Sequence, residues 1–367
     1  MKQKINSLYV HIPFCRNICS YCDFFKILKN KTFEDKYINE LVKDLKEVQN
    51  KFLLFKTIYI GGGTPSCLEF NNLEKILKVL SKMHLNKYEF TIECNPEDIN
   101  DEFLKLITKY GVNRVSIGIQ TFNQSSLARL NRQSNIDFKE AINITKKYIS
   151  NINVDFIYGL PNENLNDIKN NLDTFLELDV NHVSLYSLTI SKNTLFYNQK
   201  IKEISEDDSR IYYDYISSRL NKNGFKCYEV SNFAKKGFES KHNLNYWLDN
   251  FYLGIGAGAH GYINNVRYKV SSNLLLYLNG ERKIEEEVID EKLHKEEFIM
   301  LGLRLKKGLS LIKYESIFKV NFLEEFSKII DILVKERLIK IDKNYLKCTK
   351  KGFIIQDQII VKFFEYI

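Results

Sequence analysis

Three cysteines near the start of the sequence are spaced to hold a metal centre. Cys15, Cys19 and Cys22 form a CxxxCxxC pattern directly after a short predicted strand. Three thiolates from one loop can ligate three irons of a 4Fe-4S cluster, which leaves the fourth iron open for a substrate or cofactor. A zinc site with His11 as fourth ligand and three unrelated thiols are the alternatives. We favour the cluster because structural zinc is normally enclosed by four protein ligands.

A second candidate site is the run Gly61-Gly62-Gly63-Thr64-Pro65, which follows the second predicted strand. Consecutive glycines allow a backbone to approach a ligand closely, although a triglycine by itself more often marks a tight turn. Its position at the end of a strand, in a chain that also contains the cysteine loop, favours contact with a cofactor.

Polar residues follow the later predicted strands. Glu93 ends the third strand, Gln120 ends the fourth, Asp155 lies on the fifth, and Arg132 comes after the fourth. Because active sites of βα barrels gather at the carboxyl ends of the strands, we expect these side chains to converge there. Each of them, taken alone, is also compatible with an ordinary solvated loop.

The first half of the chain alternates β-rich runs with segments of helical apolar spacing, which predicts an α/β fold with a parallel sheet. Six βα units are too few to close an eight-stranded barrel, so we predict a partial, TIM-like (β/α)6 barrel for residues 1–205. The predicted strands are residues 8–12, 57–60, 89–93, 114–120, 153–158 and 182–188.

The rest of the chain is predicted to form two further units. Residues 206–290 begin with a polar helix and extend the barrel, and they include a Gly-rich run at 254–261. Residues 291–367 are predicted to be mainly helical and winged-helix-like, because helical stretches precede a hairpin near 338–348. The helical stretches are residues 291–305, 310–316 and 322–336.

The cysteine segment resembles the cluster loop of radical S-adenosylmethionine enzymes. The likeness is carried by Tyr9-x-His11-x-Pro13-Phe14 together with the cysteines, and it extends over most of the chain. The sequence is most similar to the oxygen-independent coproporphyrinogen III oxidase group. The resemblance implies a 4Fe-4S cluster whose open iron chelates S-adenosylmethionine (SAM), with one-electron cleavage of SAM to a 5′-deoxyadenosyl radical. Matched position by position, the implied SAM-binding residues are Tyr9, Gly62, Gly63, Thr64, Glu93, Gln120, Arg132 and Asp155.

Two features bring the chain nearer to the heme-chaperone branch of that group than to its oxidases. The oxidases usually carry a further cysteine two residues after the third ligand, and here that position is Phe24. The segment from His242 to Trp247 fits the HNxxYW pattern that is associated with heme binding in the chaperone branch. We therefore expect His242 to lie near bound heme, since a neutral imidazole is a good axial ligand.

Alternatives to this interpretation stay open. Radical oxidative decarboxylation of the propionates of coproporphyrinogen III is the alternative function. A capped helix start, with the aromatic residues in the core, is the alternative role of the HNxxYW segment. His260, in the Gly-rich run, is a second heme candidate that we interpret as a structural residue packed in a tight turn.

Composition argues against several other classes of protein. The chain of 367 residues carries a net charge of +8, and only 10 of its 54 basic residues are Arg, which is weak evidence against a nucleic-acid reader. It has no run of about 18 apolar residues and no apolar N-terminal segment of signal-peptide length. We therefore expect a cytoplasmic protein, or one peripheral at the inner face of the membrane.

The resemblance also implies partners. They are heme, a membrane-associated heme acceptor protein and a reductant such as flavodoxin or ferredoxin, and no nucleic acid is expected. The basic residues of the last unit are interpreted as a solvated face or as a docking surface for an acidic membrane or partner.

Overall fold

A computed structural model describes residues 5–51, 53–133 and 136–367 of the chain. Its strands are β1 (Ser7–Ile12), β2 (Phe14–Cys15), β3 (Ile27–Leu28), β4 (Phe55–Gly62), β5 (His84–Cys94), β6 (Arg114–Gln120), β7 (Asn151–Tyr158), β8 (His182–Ser187), β9 (Lys226–Cys227), β10 (Asn232–Ala234), β11 (Tyr252–Ile255), β12 (His260–Ile263), β13 (Val266–Val270), β14 (Ile284–Val288), β15 (Leu309–Ser310), β16 (Ile339–Asp342) and β17 (Tyr345–Cys348).

The helices alternate with these strands in the first half of the chain and predominate in its last part. They are α1 (Lys31–Asn50), α2 (Phe70–Leu80), α3 (Asp101–Lys109), α4 (Gln124–Arg129), α5 (Phe138–Lys146), α6 (Leu165–Glu177), α7 (Leu195–Asn198), α8 (Glu206–Lys222), α9 (Lys241–Trp247), α10 (Leu274–Leu278), α11 (Glu291–Leu303), α12 (Leu311–Phe318), α13 (Phe322–Glu325), α14 (Ser327–Lys335), α15 (Lys350–Ile354) and α16 (Gln356–Phe364).

Most strands join one large sheet of 12 strands in the order β14-β13-β12-β11-β1-β4-β5-β6-β7-β8-β10-β9. The strands from β1 through β4 to β8 are neighbours and run parallel. These are the six strands that the sequence predicts, so the α/β class and the partial barrel are confirmed. The carboxyl ends of all six strands therefore meet at one face.

One more parallel strand lies in the segment that is predicted to extend the barrel. The strand β11 pairs in parallel with β1, with Ser7 opposite Tyr252, and the antiparallel strands β12 to β14 follow it outward. At the other end of the sheet, β10 and β9 are antiparallel to β8 and to each other. The sheet is thus an open arc that is extended at both ends.

Local sequence explains the start of many helices. Asn30, Asn100 and Asp137 cap α1, α3 and α5 by accepting a hydrogen bond from a backbone amide three residues ahead, which satisfies a donor with no partner inside the helix. The apolar side of α2 is buried as its spacing predicts. Each helix is thereby placed directly after the loop that joins it to the preceding strand.

The last part of the chain has its own hydrophobic core, which extends from Phe298 to Phe363. The predicted hairpin is present as β16 and β17, and β15 pairs with β17 to form a sheet of three strands. Two helices that the sequence analysis does not predict, α15 and α16, complete the unit. The boundaries between residues 205 and 206 and between 290 and 291 stay predictions.

Helix length and composition also bear on membrane insertion. Within the described ranges, none of the helices is both long and apolar enough to cross a membrane.

Candidate functional site

A cavity of about 450 Å³ opens at the carboxyl ends of the parallel strands. It collects side chains from loops that are far apart in the sequence, as expected for a βα architecture. The predicted site residues that line it are Cys15, Cys19, Cys22, Gly62, Gly63, Thr64, Glu93, Gln120, Arg132 and Asp155.

The cysteine loop forms one wall of this cavity. Cys15 lies on β2 and is buried, whereas Cys19 and Cys22 are partly exposed. The Thr64 hydroxyl donates to the Cys15 sulfur over 3.5 Å, and burial raises the pKa of the Cys15 thiol to about 11. Three thiols from one loop that face the same cavity are a donor set that fits a 4Fe-4S cluster.

His11 does not serve as a fourth ligand in this arrangement. Its Nε2 donates to the Phe25 carbonyl over 2.9 Å, so its Nδ1 accepts from the Tyr9 hydroxyl at 3.0 Å. In the described residues no group of three or more His, Cys, Asp or Glu side chains is arranged to hold a single metal ion. The bonding of His11 argues against zinc with His11 as its fourth ligand. Thiolates on a cubane bind different irons and need not surround one atom.

The glycine loop lies against the segment that leads into Cys15. The Gly63 amide donates to the Ile12 carbonyl and the Thr64 amide donates to the Phe14 carbonyl, both over 2.7 Å. Gly62 has a φ of +113°, and a Cβ there would lie 2.4 Å from the His11 ring. Only glycine fits at this position, because it tolerates positive φ and has no side chain.

Glu93 joins the glycine loop to the wall of the barrel. One carboxylate oxygen accepts the Tyr59 hydroxyl over 2.7 Å and the other accepts the Gly62 amide over 3.0 Å. Burial, with a smaller contribution from Asp155, raises the pKa of Glu93 to about 7. The group therefore changes its charge near neutral pH.

Asp155 and Gln120 line the neighbouring part of the cavity. Asp155 accepts hydrogen bonds from the Ser116 hydroxyl at 2.9 Å and from the Asn153 amide at 2.8 Å. Gln120 has a φ of +71°, a conformation that is strained for a residue other than glycine and is concentrated at functional sites.

Arg132 supplies a cation that is only partly satisfied. One terminal nitrogen donates to the Gly118 carbonyl at 2.7 Å and to the Asn95 side chain at 3.3 Å. Its buried Nε has no hydrogen-bond partner among the described residues. A buried donor without a partner is costly, and an incoming carboxylate would satisfy it. A cation that lines a cavity bordered by three thiols and a glycine loop fits a ligand with a carboxylate, such as SAM.

Two predicted site residues lie outside this cavity. Tyr9 is not among the described residues that line it; its ring stacks on Tyr59 at 6.2 Å and its hydroxyl bonds His11. Tyr9 therefore supports two residues next to the cavity. Among the described residues, Tyr21, Tyr59 and Tyr186 are the tyrosines that line the cavity. The sequence analysis misses all three, although the position of Tyr59, two residues before Gly61 on β4, indicates the same face.

His242 is the second residue outside the cavity, and it is 1% exposed. Its Nδ1 lies 2.8 Å from the Thr57 hydroxyl and its Nε2 lies 2.7 Å from the Tyr246 hydroxyl. Burial, with a smaller contribution from Arg114, lowers the pKa of His242 to about 3. In this arrangement the imidazole is neutral and neither ring nitrogen is free to bind iron.

His260 differs from the expectation of a packed residue. It begins β12 at the face where β1 and β11 end, and its side chain is exposed. Gly254 of the run is required by the backbone itself, since a Cβ there would meet the His260 carbonyl at 1.9 Å.

Two family models match the chain. The Radical SAM superfamily matches residues 9–175, and the HemN C-terminal domain matches residues 289–355. The first range contains the cysteine loop and the glycine loop, and the second contains most of the separate C-terminal core.

Curated relatives match along almost the whole chain. A protein of Lactococcus lactis named heme chaperone HemW is 40% identical over 374 residues, covering 99% of this chain and 98% of the relative. A protein of Bacillus subtilis with the same name is 33% identical and covers 98% of this chain and 99% of the relative. A solved structure of coproporphyrinogen III oxidase (HemN) from Escherichia coli, a radical SAM enzyme, superposes with a TM-score of 0.86. It is 22% identical and covers 100% of this chain and 91% of that chain, so it is evidence for the fold only.

Proposed function

The chain belongs to the heme chaperone HemW family within the radical SAM superfamily, and from this premise we propose that it binds heme and delivers it to an acceptor protein. The observation that carries the proposal is similarity over the full chain to relatives that are named heme chaperones. Phe24 adds to it, because the oxidases of the group usually have a further cysteine at that position.

The cofactors follow from membership of the superfamily, which implies a 4Fe-4S cluster and SAM. In our proposal Cys15, Cys19 and Cys22 hold the cluster, which supplies the electron for reductive cleavage of SAM when both are bound. The glycine loop, with Gly62, Gly63 and Thr64, brings backbone close to SAM.

Polar side chains hold the other groups of SAM in this proposal. Arg132 lines the cavity as a cation and binds its carboxylate. Glu93, Gln120 and Asp155 bind its remaining polar groups, and each of them lines the same cavity.

Phe24 is relevant to heme because it combines two properties. It lines the rim of the cavity and is 66% exposed. An aromatic ring exposed beside a cavity can pack on the face of a porphyrin. This supports heme binding at the mouth of the barrel. The expected closeness of His242 to heme remains a prediction.

The remaining partners are part of the same proposal. We expect a membrane-associated protein as the heme acceptor, and flavodoxin or ferredoxin as the reductant. The cytoplasmic location, with or without attachment to the inner face of the membrane, also remains a prediction from the sequence.

An anaerobic titration of the cluster-reconstituted protein with hemin, followed by the Soret band, tests the function. The expected result is saturation at about one heme per chain, since stoichiometric binding distinguishes a site from surface adsorption. A titration without saturation would overturn the chaperone proposal. Release of carbon dioxide from coproporphyrinogen III in the presence of SAM and a reductant would then support the alternative oxidase function.

A further inference from the structure

We propose that His242 is a positioning residue for the cofactor cavity. It holds the ring of Tyr59 in place, and Tyr59 in turn holds the carboxylate of Glu93. The inference rests on the SAM site proposed above. It assigns the HNxxYW segment a role in holding the SAM-binding side chains, distinct from coordination of heme iron.

The first step is the contact between His242 and Tyr59. Their rings stack with a centroid distance of 5.0 Å and an angle of 27° between their planes. Tyr59 also stacks on Tyr9 at 6.2 Å. Two aromatic rings therefore pack on Tyr59 and limit its freedom to turn.

The second step leads from Tyr59 to the glycine loop. The Tyr59 hydroxyl donates to Glu93 over 2.7 Å, and the other oxygen of Glu93 accepts the Gly62 amide over 3.0 Å. A shift of the Tyr59 ring would move the carboxylate that holds this amide. The position of His242 therefore affects the position of the glycine loop, which we assign to SAM binding.

The third step is the way in which His242 itself is held. The Thr57 hydroxyl donates to the Ser7 hydroxyl over 2.7 Å, so its oxygen accepts a hydrogen bond from the Nδ1–H of His242 at 2.8 Å. Nε2 then carries a lone pair and accepts from the Tyr246 hydroxyl at 2.7 Å. The network defines one neutral tautomer, and the nitrogen that would bind iron is the acceptor in it.

Both ends of α9 are tied to other parts of the fold. At its start, the Glu89 carboxylate accepts the amides of Lys241 and His242, each over 3.0 Å. At its end, the Lys313 ammonium donates to the Asp249 carbonyl over 2.8 Å. The helix is therefore a fixed support, and turning the His242 ring toward a ligand would break its hydrogen bonds to the Thr57 and Tyr246 hydroxyls.

The test compares SAM binding with heme binding in the reconstituted holoprotein. The variants are His242→Ala, Tyr59→Phe and Tyr246→Phe, with His260→Ala as the matched control, an exposed imidazole on the same sheet. SAM affinity is measured by equilibrium dialysis, and the electron paramagnetic resonance spectrum of the reduced cluster is recorded with and without SAM. Iron content and melting temperature report on folding.

The expected result is a SAM dissociation constant about tenfold higher for His242→Ala and Tyr59→Phe, as for loss of a hydrogen bond to a charged group. Iron content and the spectrum without SAM should match the wild type in both variants, the heme affinity of Tyr59→Phe should also match it, and His260→Ala should bind SAM normally. Tyr59→Phe removes one hydroxyl only, so it keeps the test valid if His242→Ala fails to fold.

Tyr246→Phe separates the two roles of His242. It removes the hydroxyl bonded to Nε2. If His242 were an iron ligand, Nε2 would become more available and heme would bind more tightly. The positioning role predicts weaker SAM binding and unchanged heme binding.

The inference is overturned if Tyr59→Phe and His242→Ala bind SAM within twofold of the wild type, or if only heme affinity falls. A wild-type protein that binds no SAM would overturn both the SAM site and this inference. A wild-type protein that binds SAM but no heme would overturn the chaperone function alone.

Discussion

The sulfur of Cys15 and the hydroxyl of Thr64 lie 3.5 Å apart, and this contact joins the cysteine loop to the glycine loop. Two backbone hydrogen bonds reinforce it, from Gly63 to Ile12 and from Thr64 to Phe14. The proposed ligands of iron and the proposed backbone contacts to SAM are therefore one structural unit. A change in either loop should affect the other.

Gly62→Ala should abolish SAM binding. The new Cβ would lie 2.4 Å from the His11 ring, and the φ of +113° is unfavourable for alanine. Equilibrium dialysis with SAM measures the effect. The control is Gly224→Ala, where φ is +86° and no other atom lies within 4 Å of the added Cβ. It should cost about 1 kcal/mol of stability and leave SAM binding intact. Normal SAM affinity of Gly62→Ala would contradict the assignment of this loop.

Cys15→Ala should prevent assembly of the cluster, since two thiolates remain where three are needed to hold the cubane. The measurement is iron and sulfide per chain after anaerobic reconstitution. Cys67→Ala is the matched control because that cysteine is also buried but is not among the described residues that line the cavity. We expect it to retain the cluster. Equal iron content in the two variants would contradict the predicted ligands.

SAM affinity should increase as the pH is raised through about 7. Burial raises the pKa of Glu93 to about 7, so its carboxyl is protonated at pH 6 and ionised at pH 8. Only the ionised form offers both oxygens as acceptors to SAM. The dissociation constant for SAM, measured between pH 6 and pH 8, should fall by at most about tenfold per pH unit. Glu93→Gln removes the charge and should flatten this dependence; an unchanged slope in that variant would assign the titration to another group.

Lys313→Met should loosen the attachment of α9 to the C-terminal core. The ammonium donates to the Asp249 carbonyl and to the Asn250 side chain, and burial lowers the pKa of Lys313. Loss of these bonds should cost about 1–3 kcal/mol of unfolding free energy.

The readout for Lys313→Met is the fluorescence of Trp247, the only tryptophan in the chain. Trp247 lines a cavity of about 230 Å³ beside Lys313, so its emission should shift to the red. Lys362→Met, at an exposed ion pair of 3.9 Å, is the control and should change little. Urea unfolding that is indistinguishable between the two variants would rule out a role for Lys313 in this attachment.

The sequence predicts those parts of the fold and site that depend on neighbours in the chain. The six parallel strands have apolar runs of ordinary length, and the glycine loop and the cysteines are recognisable by spacing alone. The convergence of Glu93, Gln120 and Asp155 could be predicted as well, because parallel strands bring their carboxyl ends together.

The features that sequence analysis misses depend on distant partners. The strand β11 has only four residues, one of them glycine, and it is stabilised by pairing with a strand at the start of the chain. The burial of His242 has the same origin, since its partner Thr57 lies on β4. The motif looks the same in the sequence whether the nitrogens of its histidine are free or are bonded to other residues inside the barrel. In both cases the sequence alone indicates a ligand.

The position of β1 between β4 and β11 has a consequence for biosynthesis. The cysteine loop follows β1, whose second neighbouring strand is β11 (Tyr252–Ile255). One edge of β1 therefore has no partner strand until more than two thirds of the chain has been synthesised. Contacts of such long sequence separation form late. The thiols therefore leave the ribosome well before their surroundings are complete, so the cysteine loop reaches its final environment only after β11 has been synthesised.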